Sequence, residues 1–485
     1  MKKYILAFGI FSVLLQGCSD FESTNTNPNQ PGKVPAAALI PNILYTCMGE
    51  DGDVANSTGM YSTFVGGDMG GCWAQHLSKV QYNDEERYKP RGGVVQDFWE
   101  TIYEDVVNDA NKMNILATEE NNKNLQGIAL VLKAYGFSVL TDCYGDIPFS
   151  EALKVNEGIL KPKYDKQEDV YTGILALLDE AQTLLAPGNG EVPSSSDVLY
   201  KGDITKWKKF AGSLKFRCLM RISSKKNVAA DLQAIVNSGN LFASNGDDAE
   251  FIFNSAQPTA NPFYETVVFG NRAEWKVNSV LVEMLTNIGD PRLPVYAQKA
   301  VSDGTYRGKP SGYNNVPSAA FGYKNISAIG TKYLKPDAPG VFMSYAELCF
   351  LMAEAKQRGL ISTGSVEDFY NKGISASMAY NGISASDIAT YITKPSVMLA
   401  PGEELQKIAE QKWLALFGQG IEAWTEWRRT KFPELSPAVD AVLDEIPSRY
   451  QYPSNEQSIN ADAYNAAVTN QGPDLLTTKI WWLKP

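Results

Sequence analysis

A short stretch of the chain combines aromatic rings with amide and guanidinium groups. Between residues 66 and 91 the side chains with this chemistry are Trp73, Gln75, Tyr82, Arg87 and Tyr88. A flat aromatic face packs against the apolar C–H side of a sugar ring, whereas amide and guanidinium groups hydrogen-bond its hydroxyls. The stretch is therefore a candidate ligand-binding segment, and its polar and aromatic chemistry is consistent with a glycan without excluding a peptide.

A second candidate segment runs from about residue 244 to 340, where helical periodicity weakens and Gly, Pro, Asn, Ser and Tyr accumulate. Long irregular segments are usually functional or disordered, and disordered segments are poor in aromatic residues. The aromatic content here predicts an ordered, ligand-binding segment. Its leading residues are Trp275, Tyr313 and Tyr323, with Arg272 and Asn271 as polar partners. The alternative for each ring in both segments is packing inside the protein.

Catalytic and metal sites would need residue types that the chain almost lacks. His76 is the only histidine, so a Ser-His-Asp or Cys-His site would have to use it, and a site with several histidine ligands is excluded. We expect His76 to pack or hydrogen-bond. A glycoside hydrolase would need two carboxylates about 5–10 Å apart, but the acidic run 84–86 is typical of a solvated face. The sequence predicts no enzymatic activity, no metal and no cofactor apart from a covalent lipid.

The first residues predict export and a lipid anchor. Lys2 and Lys3 precede an apolar run, residues 4–15, which is shorter than the ~20 residues that span a bilayer, so we interpret residues 1–17 as a signal peptide. The sequence LLQGCSD around Cys18 resembles a bacterial lipobox, which makes Cys18 the predicted lipidated residue. Acyl chains bring ~0.8 kcal/mol per buried CH₂. The alternative is an ordinary secreted protein.

The overall charge and the remaining cysteines narrow the class of protein. A net charge of −11 without a basic run excludes nucleic acid as a partner. Cys143, Cys218 and Cys349 lie in apolar stretches and are predicted to be buried thiols. A bridge between Cys47 and Cys72 stays open, since spacing alone does not decide it.

Apolar periodicity predicts an all-α fold behind these candidate sites. Residues 18–35 have the composition of a flexible tether. Length alone suggests two or three units in the rest of the chain, and helical periodicity weakens at about 244–340. Asp203 and Ser365 are predicted helix caps, and residues 250–253 a short strand. The predicted helices cover residues 98–117, 125–140, 170–185, 207–222, 341–357, 366–380 and 403–427. Successive helix pairs of this size indicate tetratricopeptide-like repeats.

Four motifs occur in the same order as in a known family. They are NTNPN at 25–29, DCYGDIPFSEAL at 142–153, GIEAWTEWRRT at 420–430 and RYQYPSNE at 449–456 with Asn460. Together they resemble the SusD/RagB family of outer-membrane nutrient-binding lipoproteins of Bacteroidetes, and the 81–82 and 88–91 region is similar to its SusD-like subgroup. The motifs themselves have structural explanations, such as a helix end at Gly145 and packing of Trp424.

This resemblance implies a fold, a location and a function. The implied fold is an all-α superhelix of tetratricopeptide-like pairs with an irregular, loop-rich second layer. The resemblance implies that residues 36–485 form one such domain, with the loop-rich insertion at about 244–340. The implied function is that of a lipid-anchored, cell-surface protein of the outer membrane that captures an oligosaccharide and delivers it to a SusC-type TonB-dependent transporter, without enzymatic activity. A peptide-binding member of the family and a protein-interaction solenoid without a small ligand remain the alternatives.

Overall fold

The structure is a computed structural model that describes residues 34–49 and 58–485. The predicted signal peptide, the predicted lipidation of Cys18 and nearly all of the predicted tether lie outside the described residues. Within the described ranges, no helix is both long and apolar enough to cross a membrane.

The first helices include an antiparallel hairpin whose second helix is largely buried. A 3₁₀ turn at Ala36–Leu39 leads into the first helix, α1. Further along, the π-helix Thr101–Val107 connects the second helix, α2, to the third, α3, without a break. The predicted helix over 98–117 is confirmed across these segments, and α4 returns beside α3. Asn122 caps α4, and Gly145 ends it with φ +89°, the predicted turn. The bounds are α1 Ile40–Met48, α2 Gly92–Glu100, α3 Asn108–Glu119 and α4 Lys123–Tyr144.

The next helices extend the row of packed pairs. Helix α5 packs against α4, and α6 packs against α5. Asp203 caps α6 as predicted, because its Oδ1 accepts hydrogen bonds from the backbone N–H groups of Thr205 at 2.9 Å and Lys206 at 3.2 Å. The bounds are α5 Gln167–Leu184, α6 Ile204–Ile222 and α7 Ala229–Ser238.

The loop-rich insertion contains three α-helices, and its apolar residues form a cluster separate from the main core. Trp275, Val277 and Leu281 pack there against Trp413 and Phe417 of the helical scaffold. This contact anchors the irregular layer to the scaffold. The helices are α8 Ser279–Asn287, α9 Leu293–Tyr296 and α10 Ser318–Phe321.

The C-terminal helices complete the scaffold. Ser365 caps α12 as predicted, because its side chain accepts a hydrogen bond from the backbone N–H of Asp368. The helix predicted over 403–427 is wrong as one element: it is split into α14 and α15, because Gly418 adopts φ +88° between them. The bounds are α11 Tyr345–Gln357, α12 Val366–Tyr380, α13 Ala385–Ile392, α14 Glu404–Ala415, α15 Gly420–Thr430, α16 Glu456–Ile459 and α17 Ala461–Gln471.

The described residues include six short strands in three antiparallel pairs, β1 with β5, β2 with β3 and β4 with β6. The predicted helix over 341–357 is wrong in its first turn, because β6 occupies that part of the chain and Ser344 caps α11 instead. The predicted strand at 250–253 is confirmed in part, because β4 ends at Phe251. The bounds are β1 Leu77–Lys79, β2 Ile147–Pro148, β3 Tyr164–Asp165, β4 Ala249–Phe251, β5 Trp275–Val277 and β6 Gly340–Met343.

Buried ion pairs fix the helix pairs relative to one another. Arg221 of α6 reaches Glu422 at 2.6 Å and also pairs with Glu426, both on α15. Lys412 of α14 lies 2.8 Å from Glu426. Burial alone would raise the pKa of Glu426, but Arg429, Lys412 and Arg221 hold it well below its usual range. The GIEAWTEWRRT motif therefore has a structural role, and the observed architecture is the predicted all-α, tetratricopeptide-like fold.

Candidate ligand-binding surface

The pairing of β1 with β5 joins the two segments that the sequence singled out. Leu77 lies opposite Val277 and Lys79 opposite Trp275 in an antiparallel register. The ladder continues past the strands, since the N–H of Val80 donates to the carbonyl of Glu274 at 3.0 Å. The residues that follow β1 and precede β5 therefore meet at the same end of this small sheet.

Trp73 does not present its ring at this surface. Its side chain is fully buried, and its Nε1 donates to the backbone oxygen of Glu85 at 2.8 Å. The indole packs edge-on against Trp424 and Tyr450, with ring centroids 5.1 and 5.4 Å apart. The prediction that Trp73 contacts a ligand is corrected: its ring belongs to the core, where burial of an indole stabilises the scaffold.

Three further predicted site residues are also buried. Trp275 is 1% exposed, and its Nε1 donates to Asp68 Oδ1 at 2.7 Å. The amide of Gln75 donates to the carbonyl of Ser436, and the hydroxyl of Tyr88 accepts from the N–H of Ala438 at 2.8 Å. These side chains hold neighbouring loops together and have their polar ends engaged, so the structure gives them a supporting position instead of the predicted contact position.

Tyr82 and Tyr323 are the predicted residues that face solvent, 62% and 42% exposed respectively. The guanidinium of Arg272 lies 5.4 Å from the ring centre of Tyr82. The hydroxyl of Tyr323 donates to Gln81 Oε1 at 2.7 Å, which places Tyr323 beside the turn that carries Tyr82. Aromatic faces and hydrogen-bonding groups thus occur together on the surface.

Tyr313 and Arg87 border this group. The rings of Tyr313 and Phe321 lie 5.3 Å apart. Arg87 Nε donates to the carbonyl of Asp440 at 2.8 Å, and its NH1 donates to Asn314 Oδ1 at 2.7 Å, so its guanidinium fixes the loop that carries Tyr313. We name the resulting exposed or half-buried group the aromatic surface; it consists of Gln81, Tyr82, Arg272, Tyr313, Phe321 and Tyr323.

The backbone of both segments is strained at this place. Tyr82 has φ +53° and Asn271 has φ +51°, and Gln75 and Tyr88 are also left-handed. A residue other than glycine in this region costs on the order of 1–3 kcal/mol and persists only where the surroundings enforce it. The conformation of Tyr82 is therefore enforced by the contacts around its turn, which fix the direction of its exposed ring.

A buried charge pair supports the aromatic surface from below. Asp68 lies on a second π-helix, Thr63–Gly71, and its Oδ2 is 2.8 Å from Lys79 Nζ. Both side chains are at most 2% exposed. Burial raises the pKa of Asp68 to about 6, and the ammonium of Lys79 opposes that rise. Sequence reasoning missed this role of Asp68; the available signal was one carboxylate within a run of apolar residues and glycines.

A second buried pair lies next to the first. Lys309 Nζ is 3.3 Å from Glu86 Oε2, and both side chains are fully buried. Burial raises the pKa of Glu86, while Lys309 opposes that rise. The acidic run 84–86 is therefore a solvated face only at Asp84, because Glu85 and Glu86 are buried. Glu86 ties the insertion, through Lys309, to the segment that follows β1.

The lone histidine and the cysteines are structural within the described residues. His76 is buried, and its Nε2 lies 3.0 Å from the carbonyl oxygen of Trp413. Burial lowers the pKa of His76 to about 3, against the effect of that hydrogen bond, so the ring is neutral. Cys143, Cys218 and Cys349 are buried free thiols as predicted, and Cys47 and Cys72 are not bridged. In the described part of the chain, no group of three or more His, Cys, Asp and Glu residues is arranged to hold a metal ion.

A SusD-like family model, described as starch-binding and associating with the outer membrane, matches residues 28–453. No curated protein matches the chain.

Several solved structures share the fold. A chitin-binding protein is 28% identical, with a TM-score of 0.80 over 93% of this chain and 100% of its own. A SusD homolog from Bacteroides fragilis is 25% identical, with a TM-score of 0.79 over 93% of this chain and 100% of its own. A chitin-binding SusD homolog from Flavobacterium johnsoniae, 23% identical over 92% of this chain and 98% of its own, has a TM-score of 0.80 and shows the same fold.

Proposed function

The chain belongs to the SusD-like family of outer-membrane-associated binding proteins, which are not enzymes, and from that premise we propose that it captures oligosaccharides on its aromatic surface. The observation that carries the proposal is the meeting of Tyr82 and Tyr323 beside Arg272 and Gln81. Two exposed rings offer faces for the apolar side of sugar rings, and the guanidinium and amide offer partners for hydroxyls.

The chemistry of the surface supports a neutral glycan. Arg272 is partly neutralised by Glu274, and Arg87 is engaged with neighbouring loops. Lys276 Nζ lies 5.7 Å from the ring centre of Tyr323, so the net charge beside the two rings is small and positive. The names of two relatives, both chitin-binding, agree with this class of ligand. A peptide ligand would also use aromatic faces, so peptides are the competing outcome of the test.

Anchoring and delivery are part of the same proposal. We propose that Cys18 carries the lipid that holds the protein at the cell surface, and that a SusC-type TonB-dependent transporter receives the captured oligosaccharide. Acyl chains on one cysteine suffice for stable anchoring. Replacing Cys18 with Ser should release the protein from the outer-membrane fraction, and co-purification with a barrel of that type from membranes should succeed for the parent protein.

Calorimetric titration tests the ligand class. The mature protein is titrated with chitin and starch oligosaccharides of increasing length, and in parallel with peptides of similar size. The proposal expects saturable binding of at least one oligosaccharide, with affinity that rises with the number of sugar rings until the surface is covered. Saturable binding of peptides without any response to glycans would overturn it.

A further inference from the structure

A cleft lined by residues of both the helical scaffold and the insertion lies apart from the aromatic surface. Its walls are largely apolar and include the rings of Tyr61, Phe263, Tyr333 and Phe417. None of the six residues of the aromatic surface lines this cleft. It is therefore a separate space, and an inference about it does not rest on the proposed function.

Three hydrogen-bond acceptors that line this cleft have no partner among the described residues. They are Glu250 Oε1, Gln419 Oε1 and His76 Nδ1, and each atom is buried. The carboxyl of Glu250 already accepts a hydrogen bond from the side chain of Tyr380, so Oε1 is its unpaired oxygen. His76 is neutral and its Nε2 faces the carbonyl oxygen of Trp413, so Nε2 carries the proton and Nδ1 is an acceptor. Buried polar atoms in proteins are nearly always paired. A molecule that satisfies these three atoms must bring hydrogen-bond donors.

The ionisable groups that line the cleft include more carboxyls than cations. The carboxyls are Asp248 and Glu250, and the cation is Lys332, whose charge acts on Glu250. Lys332 Nζ already donates to the carbonyl of Tyr380 at 2.5 Å and lies 3.8 Å from that residue's ring centre. The nearby Asp247 is compensated outside the cleft by Lys209, at 2.9 Å.

Burial dominates the titration of these groups. Burial raises the pKa of Asp248 to about 8. The hydrogen bond from the N–H of Tyr345 opposes this rise, and the charges of Glu250 and Asp247 add to it. Burial lowers the pKa of Lys332 to about 8, and the charge of Glu250 opposes this fall. The cleft as it stands therefore has one carboxyl without a countercharge.

We propose that this cleft binds a primary ammonium group carried on a compact, largely apolar body. An ammonium brings three donors and one positive charge, which are what the unpaired acceptors and the excess carboxyl lack. The aromatic walls favour a cation and its apolar carrier. Two sources share this chemistry, an amino sugar and the lysine side chain of a peptide, and the experiment separates them.

Matched pairs of probes test the proposal by calorimetry on the mature protein. Glucosamine is compared with glucose, and Nα-acetyl-lysinamide with Nα-acetylnorleucinamide. The norleucine side chain has the same four carbons as lysine but no ammonium. The proposal expects a Kd on the order of 1 mM or tighter for at least one amine, and binding at least ~10-fold weaker for its neutral counterpart. Which amine binds more tightly identifies the source.

Proton release gives an independent readout. An entering cation stabilises the ionised form of Asp248, so binding of Nα-acetyl-lysinamide at pH 7 should release a proton, seen as a binding heat that depends on the ionisation heat of the buffer. Equal binding of amines and neutral probes would overturn the proposal, as would amine binding without proton release or no amine binding at millimolar concentrations.

Two variants locate the binding in the cleft. Glu250→Gln keeps the size of the side chain but removes its charge, and we expect at least ~10-fold weaker amine binding. Gln419→Met removes one acceptor without a change of charge and keeps the test open if Glu250→Gln does not fold. Glu367→Gln, at an exposed position of α12, is the matched control. Unchanged amine affinity in both cleft variants would overturn the proposal, whereas the oligosaccharide titration reports separately on the aromatic surface.

Discussion

Lys79 and Trp275 face each other across the β1–β5 pair, and both side chains converge on the same carboxylate. Lys79 Nζ lies 2.8 Å from Asp68 Oδ2, and Trp275 Nε1 lies 2.7 Å from Asp68 Oδ1. The ammonium also lies 4.7 Å from the centre of the Trp275 ring. This contact joins the π-helix Thr63–Gly71, the segment after it and the insertion, and it thereby sets the positions of the residues on the aromatic surface.

Removing the cation of this contact should destabilise the fold. In Lys79→Met, Asp68 stays buried and keeps only the longer contact with the half-exposed Arg91, whose NH2 lies 3.4 Å from Asp68 Oδ2. We therefore expect the free energy of unfolding at pH 7 to fall by about 3 kcal/mol. Denaturant titration measures the loss. Lys372→Met, which breaks an exposed pair with Asp368, is the control and should change stability by less than ~0.5 kcal/mol.

The same variant has a defined dependence on pH. The native pKa of Asp68, about 6, already lies above its ordinary value of 3.8, and removing Lys79 raises it further. The native state then binds a proton that the unfolded state releases, so stability relative to the parent falls as pH rises above 6 and recovers as pH falls toward 4. A deficit that stayed constant from pH 4 to 8 would contradict the pairing.

Tyr82 and Tyr323 should contribute to affinity without contributing much to stability. We expect Tyr82→Ala and Tyr323→Ala each to weaken oligosaccharide binding by about 1 kcal/mol, or ~5-fold, with melting temperatures close to that of the parent. Ile115→Ala, an exposed apolar position on α3, is the control and should leave affinity unchanged. Parent-like affinity in both tyrosine variants would remove these rings from the site.

Trp73 should behave in the opposite way. Because its indole is fully buried against Trp424 and Tyr450, Trp73→Ala should lower the free energy of unfolding by about 3–5 kcal/mol. The protein that remains folded should bind oligosaccharide like the parent. Weaker binding together with unchanged stability would show that Trp73 contacts the ligand, as the sequence alone suggested.

The buried charges of the GIEAWTEWRRT motif should make the scaffold sensitive to acid. Glu426 has a native pKa well below its ordinary value, so its contribution to stability is present above about pH 4.5 and is lost as pH falls through the native pKa. Glu426→Gln leaves Arg221, Lys412 and Arg429 without this carboxylate and should cost about 3–5 kcal/mol at pH 7. The difference from the parent should shrink at pH 3; a difference unaffected by pH would contradict it.

Local patterns predicted the parts of the fold that depend on local chemistry. Asp203 and Ser365 cap helices as expected, because their side chains satisfy N–H groups two or three residues ahead. Local patterns place the residues of β6 at the start of a helix, because a short apolar run fits the helical and the strand period equally well. Its partner, β4, lies about 90 residues away in the sequence. Strand pairing of this kind has no local signal.

The candidate site was predicted at the level of segments and less well at the level of residues. Both segments are aromatic and polar, and the composition alone indicated their chemistry. Trp73 and Tyr82 differ in burial because of contacts with Trp424 and Arg272, which lie some 200 to 350 residues further along the chain. Only the three-dimensional structure distinguishes a ring that supports the surface from one that forms it.

A crystal structure of the mature protein with a bound oligosaccharide tests the central claim most directly. The account predicts a sugar ring stacked on Tyr82 or Tyr323, with ring hydroxyls hydrogen-bonded to Arg272 or Gln81. An oligosaccharide bound elsewhere, with both tyrosine rings left open to solvent, would contradict it.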